Sequence, residues 1–114
     1  MATKKKATSD VPKGFPTSIR LLSQTWEVKY VTHVDKGEHL LGSCEADRRL
    51  ILIDKTQSIE SLRDTLVHEI LHAGCRVMPL DFDSEAAEER LVIAFTTIFL
   101  SLLRENTEFW MEDD

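Results

Sequence analysis

The sequence lacks several features that would place it in other classes of protein. Its two cysteines, Cys44 and Cys75, form no C-x-x-C pair and are too few for the disulfide framework of a small secreted domain. No apolar segment follows the N-terminal lysines, so no secretory signal is visible. The longest mainly apolar stretch, Leu91 to Leu103, is too short to cross a bilayer. These absences predict a cytoplasmic protein with no membrane span.

The length and composition predict one soluble globular domain. The chain has 114 residues, of which 42% are hydrophobic and 30% are charged, which is enough for one hydrophobic core but not for two. Four lysines and one aspartate lie in the first fourteen residues, so the rest of the chain is more acidic than the net charge of -6 indicates. We predict a disordered basic tail over residues 1–14 and a folded domain over residues 15–114. The acidic domain argues against nucleic-acid binding.

The first half of the folded domain has the patterns of β-strands. Residues 25–31 alternate large apolar and polar side chains, which is typical of a half-buried strand. A second short strand is predicted from residues 39–42 up to Cys44, after a segment with turn-forming residues. Branched apolar residues at 50–53 predict a third, well-buried strand. We therefore expect two or three antiparallel strands.

The second half of the domain has the pattern of helices. From Ser58 onward, apolar residues recur every three or four positions, with Ser58 or Thr56 available as the N-cap and Gly74 expected near the C-terminus of the helix. A second helix is predicted to begin at Asp83 or Ser84. Its wide apolar face, which suits a buried helix, consists of Leu91, Val92, Phe95, Ile98, Phe99 and Leu102. The predicted fold class is α+β, with the strands followed by two packed helices.

The segment His68-Glu69-Ile70-Leu71-His72 lies inside the first predicted helix. Positions i and i+4 project from one face of a helix, so His68 and His72 can bind one metal ion. Zinc accepts imidazole nitrogen, and a catalytic zinc keeps one position open for water. Glu69 follows the first histidine directly and is placed to act as general base toward that water. The motif predicts zinc-dependent hydrolysis of a protein or peptide substrate.

Coincidence is the alternative interpretation of this motif. With four histidines and eleven glutamates in the chain, random placement gives the spacing with a probability on the order of one in a hundred. In that case both histidines would face the core or the solvent without binding a metal. The position of the motif inside an amphipathic helix favours the metal site.

The third zinc ligand must come from another part of the chain. A glycine at position 75 and a histidine at position 78 would mark a metzincin, but Cys75 and Met78 stand there, and no H-x-x-E-H is present. A glutamate of the second helix is the remaining source, and Glu85, Glu88 and Glu89 are the candidates. Helical phase alone favours Glu88, which lies on the apolar face, while the other two flank it.

Four segments together resemble the compact zincin-like metallopeptidases of bacteriophages and prophages, which are minimal gluzincins related to ImmA/IrrE-type peptidases. The resemblance covers residues 25–108, and the segments that carry it are Leu41 to Cys44, Leu50 to Asp54, Thr65 to Ala73 and Glu88 to Val92. It implies that Glu89 is the third ligand, because the family spacing matches Glu89, Val92 and Phe95. It also implies that the strand at 50–54 lies at the edge of the cleft, where it could align an extended substrate. A phage-encoded protein of this family would act in the host cytoplasm.

Two functions of different classes fit these residues. The leading prediction is a zinc peptidase that cleaves a specific intracellular protein. The chain has no histidine or tyrosine after the motif to stabilise an oxyanion, and His33 and His39 are predicted to lie on the surface, so selective cleavage is favoured over broad digestion. The alternative is a non-catalytic module that binds a protein partner and is stabilised by zinc. A nucleic-acid-associated regulator anchored by the lysine tail is a third, weaker hypothesis.

Overall fold

A small sheet precedes two long helices in the described part of the chain. The structure is a computed structural model that describes residues 11–34, 40–78 and 80–107. The elements are β1 (Ser18–Leu21), β2 (Gln24–Val31), β3 (Gly42–Glu45), a 3-10 turn (Ala46–Arg48), β4 (Leu50–Asp54), α1 (Ile59–Val77) and α2 (Glu85–Glu105). The predicted α+β class and the order of strands before helices are confirmed. The greater part of the tail predicted over residues 1–14, and also His39, lie outside the described residues.

The four strands form a mixed sheet in the order β1-β2-β4-β3. The prediction of two or three antiparallel strands is wrong in number and in one direction, because β2 pairs with β4 in parallel. The hairpin between β1 and β2 turns at Leu22 and Ser23, whose φ angles are 50° and 73°. Such two-residue turns usually carry asparagine or glycine, so no turn signal in the sequence marks this hairpin. The second predicted strand is present at Gly42–Glu45, so it begins later than predicted and includes Cys44 as expected.

β4 occupies the centre of the sheet because its side chains are apolar on both faces. Leu50, Ile51 and Ile53 are all buried, and the strand is paired on one side with β2 and on the other with β3. Strands with a continuous apolar run are typical of such two-sided positions. The sequence-based expectation of a well-buried strand here is therefore confirmed.

The main hydrophobic core lies between the sheet and α1. Along β2 every second residue is buried, which gives the sheet one inner face. The buried cluster consists of Trp26, Val28, Tyr30, Ile51, Ile53, Leu62, Leu66 and Ala73. Val11 and Phe15 pack against it from outside the sheet, and the Tyr30 hydroxyl donates a hydrogen bond of 2.6 Å to the Pro16 carbonyl. This core fixes the position of α1, which carries the histidine motif.

Both helices begin at a serine that caps a backbone amide. The Ser58 hydroxyl accepts a hydrogen bond from the Ser61 amide, and the Ser84 hydroxyl accepts one from the Ala87 amide, each at 3.1 Å. α1 continues past Gly74 to Val77, so the predicted end at that glycine is three residues too early.

The helix α2 is buried along a narrower line than its sequence predicts. It packs against α1 through Val92, Thr96 and Leu100, whereas Phe95 is 52% and Ile98 63% exposed. The prediction of a buried helix with a wide inward face is therefore wrong in extent, because α2 covers one side of α1 and not the sheet. No helix among the described residues is long and apolar enough to span a membrane.

Candidate metal centre

The two histidines of the motif and one glutamate of α2 lie close together. The rings of His68 and His72 are neighbours on α1, with centroids 5.0 Å apart. The Nε2 atom of His68 lies 3.3 Å from Glu89 Oε2, and the Nε2 atom of His72 lies 2.8 Å from Glu89 Oε1. One donor atom from each of the three residues lies within 4.8 Å of the others. These residues form a group that could hold a metal ion.

The donor set fits a small divalent ion. Two imidazole nitrogens and one carboxylate oxygen are ligands that zinc accepts, and other first-row ions also accept them. A tetrahedral ion with bonds of 2.0 to 2.1 Å keeps its ligand atoms about 3.3 Å apart. The distances of 2.8 and 3.3 Å from Glu89 to the two histidines are close to that spacing. An ion could therefore be accommodated with small side-chain movements.

Glu88 and Glu89 contact opposite nitrogens of the same imidazole. Glu88 Oε2 lies 2.8 Å from His72 Nδ1, whereas Glu89 lies on the Nε2 side that it shares with His68. The Glu88 side chain is 11% exposed and the Glu89 side chain 46%. Helical phase thus correctly predicts which glutamate is buried. However, the buried glutamate lies behind His72, in the position from which a carboxylate orients a ligating histidine.

The positions of the histidines on α1 and of the glutamates at the start of α2 explain why these side chains lie close together. His68 and His72 are one turn apart on α1, and Ser84 starts α2 so that Glu88 falls in its first turn. Carboxylates near a helix N-terminus are stabilised by the unpaired amides and the helix dipole. Of the three glutamates considered in the sequence, Glu85 is exposed to solvent and, unlike Glu88 and Glu89, forms no hydrogen bond or ion pair with a described histidine.

Glu69 is buried beside the group and has no fixed polar partner. Glu69 is 8% exposed, and no described residue forms a hydrogen bond with its carboxylate. Burial raises the pKa of Glu69 to about 7; the nearby His72 opposes this shift and the charge of Glu89 adds to it. A carboxyl group with a pKa near neutrality can both accept and release a proton under physiological conditions.

The two histidines differ in their electrostatic surroundings. Burial lowers the pKa of His68, and the charge of Glu89 opposes this only in part. Burial also acts to lower the pKa of His72, but hydrogen bonds with the Glu88 and Glu89 carboxylates outweigh it, so this pKa is raised. A metal ion binds the neutral form of imidazole. Because the pKa of His72 is raised and that of His68 is lowered, His72 carries a proton over a wider pH range, and an ion would have to displace that proton.

The group lies in an open cleft of about 760 Å³ between α1, α2 and the segment around β3. Leu41, Gly42 and Cys44 line it on the sheet side, and Ile93 lines it on α2. No residue of β4 lines it, and β4 is paired on both sides. The expectation that the strand at 50–54 forms the cleft edge is therefore wrong. β3, the last strand in the sheet order, has this position because β4, whose first four residues are apolar, is an interior strand.

Several residues of the cleft carried no signal in the sequence. Arg76 lies one turn after His72 and places its Nε 3.6 Å from Glu88, so it helps to balance the buried carboxylate. Cys44 lines the cleft as a free thiol; burial, with a smaller contribution from Glu69, raises its pKa to about 12. Cys75 is also free and half-buried, and does not belong to the histidine and glutamate group.

Comparison of the chain with protein-family models, with curated proteins and with solved structures gave no match. The resemblance to phage zincin-like peptidases therefore stays a prediction from the sequence. The interpretation of the cleft depends on the chemistry of its own residues.

Proposed function

We propose that this protein is a zinc-dependent peptidase of the zincin-like, minimal gluzincin type, acting in the cytoplasm on a specific protein or peptide. One observation carries the proposal. His68 and His72 meet Glu89 from the neighbouring helix while Glu69 lies beside them in the same cleft. This combination of three ligands and one adjacent carboxylate is what metal-assisted hydrolysis of a peptide bond requires.

The metal ligands in this proposal are His68, His72 and Glu89. A bound zinc ion would supply Lewis acidity, which activates a water molecule and polarises a substrate carbonyl. Glu88 holds the Nδ1 side of His72 at 2.8 Å and thereby turns its Nε2 toward Glu89.

Glu69 performs the proton transfers in this proposal. Its pKa of about 7 allows the carboxylate to take a proton near neutral pH and to release it again. The proton is held on a carboxylate oxygen and passed to the leaving amine. Since no described residue forms a hydrogen bond with this carboxylate, its oxygens remain available for that exchange.

The substrate in this proposal is an extended peptide aligned along β3. This strand is at the end of the sheet order and pairs with β4 on one side. A peptide could add to its other side by main-chain hydrogen bonds. Leu41 and Ile93, on opposite sides of the cleft, supply apolar surface for substrate side chains.

Zinc binding is tested by elemental analysis and by competition with a chromophoric chelator. We expect one zinc per chain, a loss of affinity greater than about 100-fold for Glu89→Ala, and a loss of about 10- to 100-fold for Glu88→Ala. Glu85→Ala is the matched control, since this glutamate also lies in the first turn of α2 but is exposed, and it should leave the affinity unchanged. Wild-type affinity in Glu89→Ala would remove the proposed ligand set.

Peptidase activity is tested with the Glu69→Gln variant. Wild-type protein and variant are loaded with zinc and incubated with a peptide library that is read by mass spectrometry. The variant should retain zinc and lose cleavage by about 100-fold or more, because a positioned general base contributes on the order of 10²- to 10⁴-fold. Cleavage that persists in this variant would show that another group transfers the proton.

One observation favours the alternative of a non-catalytic, zinc-stabilised module that binds a protein. Phe95 and Ile98 expose apolar side chains on α2, and contiguous apolar surface often marks a binding face. In that case zinc removal would lower the melting temperature, no peptide would be cleaved, and partner binding would tolerate Glu69→Gln.

A further inference from the structure

Gly42, the first residue of β3, packs directly against α1 at Glu69. A Cβ atom built on Gly42 would lie 2.7 Å from Thr65 Cγ2, 3.0 Å from Glu69 Cγ and 3.1 Å from Glu69 Oε2. Favourable contacts between carbon atoms lie at about 3.5 to 4.0 Å. A side chain at this position therefore fits only if the Thr65 and Glu69 side chains move.

Lack of space, not backbone conformation, is the reason for a glycine here. Gly42 is part of a regular strand, and its φ angle is not in the left-handed region, where Gly14 lies at +84°. An alanine could therefore adopt the same backbone conformation. Only the side chains of Thr65 and Glu69 oppose it.

The backbone at Gly42 is a rigid surface. Gly42 is in register with Ile53 of β4, which is fully buried in the core. Glu69 approaches this surface from α1, whose inner residues Leu66 and Ala73 belong to the same core. The distance between the strand and the carboxylate is thus set by the packing of the whole domain.

The Glu69 side chain depends on this contact for its orientation. It is 8% exposed, and no described residue forms a hydrogen bond with its carboxylate. A buried side chain without a polar partner is oriented by the atoms that pack against it. The atoms of Glu69 nearest to Gly42 include Oε2, one of the two oxygens that would handle the proton.

We propose that Gly42 is a positioning residue, whose missing side chain lets the backbone of β3 hold the Glu69 carboxylate beside the His68, His72 and Glu89 group. This inference rests on the proposed function, in which Glu69 transfers the proton. A methyl group at position 42 would push the carboxylate out of place. Misplacement of a catalytic group by about 1 Å costs on the order of 100-fold in rate, so the few tenths of an ångström by which the Glu69 side chain must move should cost several-fold.

The test separates this role from a purely structural one. Gly42→Ala alone would also strain the fold through Thr65, so the substitution is made in a Thr65→Ser background. Serine lacks Cγ2, the atom nearest to the new methyl, and keeps the hydroxyl, which donates to Gln57 Oε1 at 2.8 Å. Gly74→Ala in the same background is the matched control, since a Cβ there meets nothing within 4 Å.

Relative to Thr65→Ser alone, we expect the added Gly42→Ala to lower kcat several-fold with little change in KM, zinc content or melting temperature. The added Gly74→Ala should leave kcat unchanged. In a Glu69→Gln background, Gly42→Ala should cause no further loss, because the group that it displaces is already inert. A further loss there, or an unchanged kcat in the Thr65→Ser background, would overturn the positioning role while the peptidase proposal stands.

A second measurement keeps the inference testable if no substrate is cleaved. Nuclear Overhauser contacts are measured in protein labelled with ¹³C on glutamate. They should connect the Glu69 side chain with the Gly42 Hα protons in the Thr65→Ser protein. These contacts and the Glu69 carboxyl chemical shift should change in the variant that also carries Gly42→Ala, but not with Gly74→Ala. An unchanged Glu69 side chain would overturn the inference, whereas absent cleavage with a displaced side chain would count against the proposed function alone.

Discussion

The two sides of α1 face regions with opposite properties. Toward the sheet, the helix meets a core in which Ile51 and Ile53 are fully buried and apolar contacts dominate. Toward α2 and β3, the same helix faces a cleft where ligand atoms of His68, His72 and Glu89 lie within 4.8 Å of one another and where Glu69 also lines the wall. The core buries apolar side chains, as packing rules lead one to expect, whereas the cleft partly buries ionisable side chains, which those rules disfavour. Such local violations are expected at functional sites.

The difference indicates how stability is distributed in the molecule. Core burial stabilises the fold by about 25 cal/mol for each Å² of apolar surface removed from water. The cleft works in the other direction, because burial penalises the charged form of the Glu69 carboxyl group. Substitutions in the core should therefore lower stability without changing the ligand group, whereas replacing Glu69 in the cleft should raise stability near neutral pH.

The largest effect is expected from Ile53→Ala in the core. Removing three carbon atoms from a fully buried side chain leaves a cavity, and such changes cost about 2 to 5 kcal/mol in free energy of unfolding. Urea denaturation of the chelated protein measures this loss. Ile98→Ala is the matched control, since Ile98 is 63% exposed and the change should stay within about 0.5 kcal/mol. Zinc affinity of the folded protein should be unchanged in both variants, and a tenfold change with Ile53→Ala would erase the distinction between the two regions.

An intermediate effect on the free energy of unfolding is expected from pH, through the Glu69 carboxyl group in the cleft. The pKa of Glu69 is raised from 4.5 to about 7 in the folded protein, so the folded state binds this proton more tightly than the unfolded state. The resulting stabilisation is complete below pH 4.5 and is lost as the pH rises through about 7. Since one pKa unit corresponds to about 1.4 kcal/mol, the loss is on the order of a few kcal/mol.

The Glu69→Gln variant isolates this contribution, because glutamine does not titrate. The free energy of unfolding is measured by urea denaturation at a series of pH values, with a chelator present for both proteins. The variant should gain stability relative to the wild type between pH 4.5 and about 7, and the difference should be constant outside this interval. Parallel pH profiles would mean that Glu69 is not buried as the cleft geometry requires.

Features that depend on local spacing could be predicted from the sequence. The i and i+4 relation places His68 and His72 on one face of a helix whatever surrounds it. The serine N-caps and the apolar repeat likewise predicted the start of each helix. These relations lie within one element and need no information about its neighbours.

Features that depend on the relative placement of elements could not be predicted in the same way. The parallel pairing of β2 with β4 joins residues far apart in the chain, and the hairpin at Leu22 and Ser23 lacks the usual turn residues. The helical phase of the second helix was enough to identify Glu88 as the buried glutamate. Which nitrogen of His72 each glutamate contacts depends on the rotation of α2 against α1, and that rotation is a property of their packing.

The smallest effect on the free energy of unfolding is expected from removing the serine N-cap of either helix. Ser58→Ala and Ser84→Ala each remove one side-chain cap, and each should lower the free energy of unfolding by about 1 kcal/mol. Their consequences for the cleft should differ. Ser84 starts the turn that carries Glu88, while Ser58 lies more than two turns before His68.

Fraying at the start of α2 should therefore weaken zinc binding by up to about fivefold, the equivalent of 1 kcal/mol, and fraying at the start of α1 should not. Chelator competition at 25 °C, where both variants remain folded, measures the two affinities. Equal weakening would mean that the metal group depends on the stability of the whole domain. Weakening by Ser84→Ala alone would show that the order of one helical turn of α2 controls the cleft independently of the core.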